Sequence, residues 1–210
     1  DLCKWNVFSA PAKPVRGMYF ATHFHNYYND APVQAIQEYV EDLALWGCNA
    51  VNVWYDMHHY NGIDDPAAQE MIKKLKVILH AAKKIGLQPC IGTLANEAYS
   101  TTPEHLKSTP PQSAHYGVEI CPSIPEGMEL ILKLRREMLE AFKEVDPELV
   151  WIWPYDQGGC ICEKCNPWGC NGFIKSGKAE AGLIKEIYPN AKTVVSTWCF
   201  DYFIEGEYDG

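Results

Sequence analysis

No apolar run in this chain approaches the roughly 18 residues that a membrane-spanning helix needs, so no segment reads as bilayer-crossing. Positive charge is also scarce. Lysine and arginine number 18 against 27 aspartate and glutamate, a formal net charge of -9. A chain of that sign lacks counter-charge for a phosphate backbone, which argues against nucleic acid as a partner. There is no Asn-x-Ser/Thr sequon and no Gly-x-Gly-x-x-Gly fingerprint after the first strand-like run, so the dinucleotide-binding reading loses ground. A partial phosphate-loop match, Gly172 with Gly177-Lys178, ends in Ala179 where a magnesium-binding hydroxyl is needed. It follows no strand and is read as chance. The chain starts at Asp1 with neither Met nor a signal pattern, as expected of a processed or excised chain. Compartment stays open, with export preferred to the cytoplasm.

What is present suits one folded domain. The 210 residues are 47% apolar and 21% charged, enough for a sizeable core. Short apolar runs alternate with amphipathic stretches. Residues 17–23, 50–55, 87–92, 149–154 and 191–199 read as strands. Helices are expected from Pro32 to Trp46, from Pro66 to Gly86, over 126–145 and over 175–187, with a polar, proline-rich loop over 100–112. Near-continuous apolar strands separated by helices imply a parallel sheet covered by helices. The two candidate architectures are a doubly wound sheet and a (β/α)8 TIM barrel. Only about five βα units are present, so the barrel reading is of an incomplete (β/α)8 type. Residues 1–13 form an N-terminal extension, and 14–210 form the partial barrel with a Cys-rich loop at 158–171. Further C-terminal residues or another chain would complete it.

Polar and aromatic residues crowd the carboxyl ends of these strands. His23 and His25 follow the first; Trp54, Tyr55, Asp56, His58 and His59 end or follow the second. Asn96 and Glu97 follow the third, Tyr155, Asp156 and Gln157 the fourth, and Trp198 and Asp201 end or follow the fifth. In a barrel these ends converge on one mouth, where active sites form. Tryptophans near three strand ends suit the C–H faces of a sugar ring, although each is equally a core candidate. His23-x-His25 also resembles the start of a metal-dependent amidohydrolase, but no histidine follows His115 to supply later ligands.

Four of nine cysteines fall close together, as Cys160, Cys162, Cys165 and Cys170. Four nearby thiolates suit structural zinc; two disulfides are the competing reading in an exported protein. In either case the cluster is scaffolding for the loop after the fourth strand.

Val15-Arg16-Gly17, Asn49 leading into Val51-Asn52-Val53-Trp54, Ala82 to Gly86-Leu87, and Trp153-Pro154-Tyr155-Asp156-Gln157 follow one another in a recognisable order. This order resembles the catalytic barrel of the family 20 glycoside hydrolases, the β-N-acetylhexosaminidases, over about 14–201. The resemblance implies a TIM-barrel hydrolase of glycosidic bonds, acting on a hexosamine- or uronic-acid-containing glycan with no catalytic cofactor. It places Arg16 on sugar hydroxyls and Asp156 on the substrate's acetamido group. The family's proton-donating Glu is Gln157 here, and an amide has no proton to give at neutral pH. Three readings follow. Asp156 is itself the acid, or Glu97 or Asp201 supplies the proton, or the barrel binds carbohydrate without cleaving it. The candidate catalytic residues are thus Asp156, Glu97 and Gln157. The candidate substrate-binding residues are Arg16, His25, Trp54, Asp56, His58, Asn96, Tyr155, Trp198 and Asp201.

Overall fold

A computed structural model describes residues 10–21, 27–110, 116–154, 159–202 and 205–208. Five strands form one sheet: β1 (Gly17–Phe20), β2 (Ala50–Trp54), β3 (Gln88–Leu94), β4 (Leu149–Trp153) and β5 (Lys192–Val195). Their spatial order is their chain order, and every neighbouring pair is parallel. A short helix α1 (Tyr27–Asp30) precedes α2 (Val33–Leu45). The crossovers β2–β3, β3–β4 and β4–β5 carry α3 (Pro66–Lys84), α4 (Pro125–Ala141) and α5 (Ile174–Ile187).

Local chemistry sets the helix ends. The Asp65 carboxylate accepts a 2.9 Å bond from the Ala67 N–H, and Pro66 occupies the first helical turn, where its missing N–H costs nothing. Gly47 and Gly86 take positive φ angles of 92° and 83° just beyond α2 and α3, a conformation that L side chains rarely adopt.

Apolar residues then decide the layers. Ile36, Val40 and Leu43 of α2, Leu75 and Leu79 of α3, Met138 of α4 and Ile184 of α5 join Val51, Val53, Ile91, Val150 and Ile152 in one core. Each such buried side chain contributes about 1.5–3 kcal/mol. All four long helices therefore cover the same sheet face. The other face carries two smaller clusters: Ala50, Cys90 and Leu149, then Trp54 and Leu94 against Trp153. A doubly wound sheet would reverse its strand order and carry helices on both faces. Among the described residues this one does neither. The architecture is a (β/α)-barrel sector of about five units, as the alternating runs predict.

Several expected elements are shorter than their apolar runs, β1 among them, which ends at Phe20. The fifth strand stops at Val195, because the chain turns over Thr197–Phe200 and Cys199 adopts a positive φ of 60°. The helix expected over 126–145 ends at Ala141 and gives way to a tight turn over Lys143–Val145, closed by Asp146 in the left-handed region. The loop over 100–112 contains a helical turn, Glu104–Leu106, and a bridge from Lys107 to Ile120.

Candidate active site at the carboxyl ends of the strands

Trp54 ends β2 on the sheet face away from the helices, and its indole N–H donates to Glu97 Oε2 at 3.0 Å. Glu97 stands three residues past β3. Its other oxygen, Oε1, lies 2.7 Å from His58 Nδ1. A tight turn over Met57–His59 brings His58 there. That turn also sets His59 Nδ1 2.6 Å from Asp56 Oδ2. Two carboxyl–imidazole pairs thus sit side by side, with the His58 and His59 rings 4.1 Å apart. Tyr116 stacks on His58 at 3.5 Å, 15° from parallel. Glu97 is fully buried, and Asp56 and His58 nearly so.

Burial determines the protonation state. Desolvation pushes the Glu97 carboxyl up to about 8, against the pull of Arg135 and the Trp54 N–H. It pushes the His58 imidazole down to about 4, helped by His59 and opposed by Asp56 and Glu119. Asp56 is raised by burial and by the Glu97 carboxyl, against the pull of His59. At neutral pH Glu97 and His58 therefore form a neutral pair, not an ion pair. Each carboxyl oxygen meets an N–H, Trp54 at Oε2 and the His58 backbone at Oε1 (3.4 Å), and one proton is shared between Oε1 and His58 Nδ1. With that proton on the Oε1 side, the neutral imidazole carries its own proton on Nε2. His58 Nε2, Asp56 Oδ1 and Asn52 Oδ1 are buried without a hydrogen-bond partner among the described residues. Such groups are costly in a folded protein and concentrate where function demands them.

Beneath this site runs a second buried polar system. Arg135 of α4 lies 3.1 Å from Glu180 Oε1 of α5, and its NH2 group donates to the Leu94 carbonyl at the end of β3. Thr93 donates to the same Glu180 oxygen. Neither Arg135 nor Glu180 stands out in the sequence as functional. The available signal is a charge inside an apolar helical stripe, between Ile131 and Met138 for Arg135.

The structure gathers Trp54, Asp56, His58 and Glu97 and adds His59 and Tyr116. Other expected residues lie elsewhere. Arg16 precedes β1, at the amino edge of the sheet, and donates to the carbonyls of Gly47 and Lys13 at 2.7 Å each. It is a strap on the opposite rim, because a residue before a parallel strand cannot reach the carboxyl mouth. Asn96 is fully buried and faces inward, donating to Ser108 Oγ and to the carbonyls of Ile120 and Gly159. It ties loops together. Asp201 accepts from the Glu207 N–H at 2.7 Å and donates from its own N–H to the Glu207 carboxylate at 3.3 Å, closing a local turn. Trp198 is 60% exposed beyond β5, two strands along the rim from Glu97. His23, His25, Tyr155, Asp156 and Gln157 lie outside the described residues.

The cysteine grouping also differs from expectation. Four sulfurs lie within 4.8 Å of one another, and they belong to Cys121, Cys160, Cys162 and Cys165. Cys170 is excluded because the helical turn Gly169–Phe173 carries its thiol toward the Pro167 carbonyl instead. Asp56, His58 and His59 form the second close donor group among the described residues, but both Nδ1 atoms are committed to carboxyl groups.

Known structures share this architecture. A family GH5_18 protein from Streptomyces cattleya, solved with GlcNAc, superposes with a TM-score of 0.54 at 13% identity, over 87% of this chain and 44% of that one. An exo-β-1,4-mannosidase, Op5Man5, from Opitutaceae bacterium strain TAV5 gives 0.51 at 16%, over 84% and 30%. A maltogenic α-amylase, AmyB, from Thermotoga neapolitana gives 0.52 at 10%, over 81% and 43%. The chain shares with them the parallel (β/α) barrel architecture. At such identities the likeness concerns fold alone, and the chain spans 30–44% of these three chains. A GH20 β-N-acetylhexosaminidase from Streptomyces coelicolor A3(2) superposes at 0.48, too loosely to single out that family. No protein-family profile and no curated protein matches the sequence.

Proposed function

We propose that this chain is part of a glycoside hydrolase acting on a hexosamine- or uronic-acid-containing glycan, with the remaining barrel strands supplied by further C-terminal residues or another chain. The observation that carries this reading is the buried Glu97–His58 pair, 2.7 Å apart at the carboxyl ends of β2 and β3, in a barrel sector of the kind glycosidases use. Gln157 cannot protonate a leaving oxygen. Glu97 can do so through His58. The Nε2–H proton passes to the glycosidic oxygen, Nδ1 takes the Glu97 proton, and the Trp54 N–H stabilises the carboxylate left behind. Solvent restores the proton afterwards. By the family resemblance, Asp156 is the carboxylate that stabilises the positive charge developing at the anomeric carbon. Tyr116 covers His58, so substrate entry requires that ring to move aside.

The test is an aryl-glycoside panel of hexosaminides and uronides, read with the unmodified chain, Asp156→Asn and Glu97→Gln. Turnover lost in both variants supports the assignment; equal turnover in all three refutes it. A carbohydrate-binding barrel without hydrolysis is the second reading, favoured by the complete burial of Glu97 and by Gln157. It predicts sugar-dependent tryptophan fluorescence with no turnover of any glycoside.

A further inference from the structure

We propose that Cys121, Cys160, Cys162 and Cys165 bind one zinc ion as a closed, all-thiolate structural site that staples the loops following β3 and β4. Zinc–thiolate bonds are about 2.3 Å long, so four sulfurs arranged tetrahedrally around one ion stand about 3.8 Å apart. Cys121 Sγ lies 3.8 Å from Cys162 Sγ and 3.8 Å from Cys165 Sγ. All four sulfurs fall within 4.8 Å of each other, and the cysteines are free thiols. A polynuclear iron–sulfur cluster spreads its thiolates over several metal ions, wider than this group allows. The sulfur-only donor set favours a soft or borderline ion over calcium or magnesium.

The surroundings suit thiolates. The backbone N–H groups of Cys162 and Thr109 lie against the Cys160 sulfur, and that of Ser123 against Cys121. The Ser123 hydroxyl is 3.0 Å from Cys165 Sγ. These outer contacts orient ligands and offset the negative charge of a four-thiolate zinc site. Zinc entry displaces the thiol protons and changes no oxidation state. Cys121, Cys160 and Cys165 are buried and Cys162 half-buried, and four protein ligands leave no open position. The role is therefore mechanical. Cys121 directly follows Ile120, whose carbonyl accepts from Asn96, and Cys160 directly follows Gly159, whose carbonyl accepts from Asn96 as well. The ion would lock together the two loops that hold Asn96, the residue preceding Glu97.

The experiment is elemental analysis of the full chain, purified under reducing conditions and dialysed against a weak chelator. The expected result is one zinc per chain. Cobalt(II) in its place should give the intense visible bands of tetrahedral all-thiolate coordination. Cys121→Ser should lose stoichiometric zinc while Cys170→Ser keeps it. If Cys121→Ser does not fold, Cys162→Ser serves in its place. Mercurial titration of the unmodified chain should then release zinc in step with four thiols. A metal-free chain, an iron-loaded chain, disulfides among these four cysteines, or zinc lost from Cys170→Ser but kept by Cys121→Ser would each overturn the proposal.

Discussion

Replacing Glu97 by Gln should change the way stability responds to pH. The folded chain holds the Glu97 proton up to about 8, whereas an unfolded glutamate releases it near 4.5. Between those values the folded state binds more protons than the unfolded one, so Glu97 lowers stability as pH rises. His58 acts in the opposite sense. Its folded value is about 4 against 6.5 unfolded, so the unfolded state binds more protons in that window and stability rises with pH. Each contributes about 1.4 kcal/mol per pH unit. From pH 4.5 to 6.5 these two contributions offset each other, and the raised Asp56 carboxyl leaves a net fall of stability as pH rises. Above 6.5 His58 is neutral in both states, and Glu97 removes about 2 kcal/mol by pH 8, in the same sense as the raised Asp56. Glu97→Gln eliminates the Glu97 part of that fall and leaves the His58 contribution, a rise of about 3 kcal/mol from pH 4 to 6.5 and none above it, opposed by Asp56. Urea unfolding of both proteins at closely spaced pH values, with the midpoint and m-value fitted separately, measures the difference. If the variant loses stability above pH 6.5 in parallel with the parent, Glu97 is not the group that titrates and the neutral-pair assignment fails.

Other perturbations read other parts of the structure. Arg135→Met leaves Glu180 buried without its cation and should cost about 3–5 kcal/mol; combining it with Glu180→Gln should cost less than the two single changes added, in a denaturation double-mutant cycle. Gly92→Ala would place a methyl group 2.4 Å from the Trp153 ring and should destabilise by about 1–3 kcal/mol, whereas Gly182→Ala on the exposed side of α5 meets nothing and should stabilise by about 0.5–1 kcal/mol, both seen as shifts in Tm. Arg16→Ala should leave any sugar affinity measured by tryptophan fluorescence unchanged, because its bonds lie at the amino rim; a large loss of affinity would contradict that placement.

Secondary structure was largely legible because it rests on local periodicity. Val33 to Leu43 and Met71 to Ala82 repeat at helical spacing, and the two terminating glycines mark where those helices stop. The strand ends marked where polar side chains crowd, and Trp54, Asp56, His58 and Glu97 meet there. Their pairing was not legible. Glu97 is 43 residues from Trp54 and 39 from His58, and nothing in local spacing says which carboxyl faces which imidazole. The cysteines show the same limit. Cys170 is near the cluster in sequence, yet a helical turn carries its thiol away, while Cys121 arrives from 41 residues before Cys162. Arg16 fell on the wrong rim because the strand it precedes points away from it.

The order of apolar runs and helical stripes, read from the amino acids alone, determined a parallel sheet with helices between its strands and one rim rich in polar side chains. Tertiary structure decided that the strands keep their chain order and that all four long helices share one face, a sector of a barrel instead of a doubly wound sheet. It also decided the protonation of Glu97, since a carboxyl group's pKa depends on how much water and which charges the fold leaves around it. Sequence spacing governs contacts within a few residues of each other; burial and long-range pairing exist only once the chain has packed.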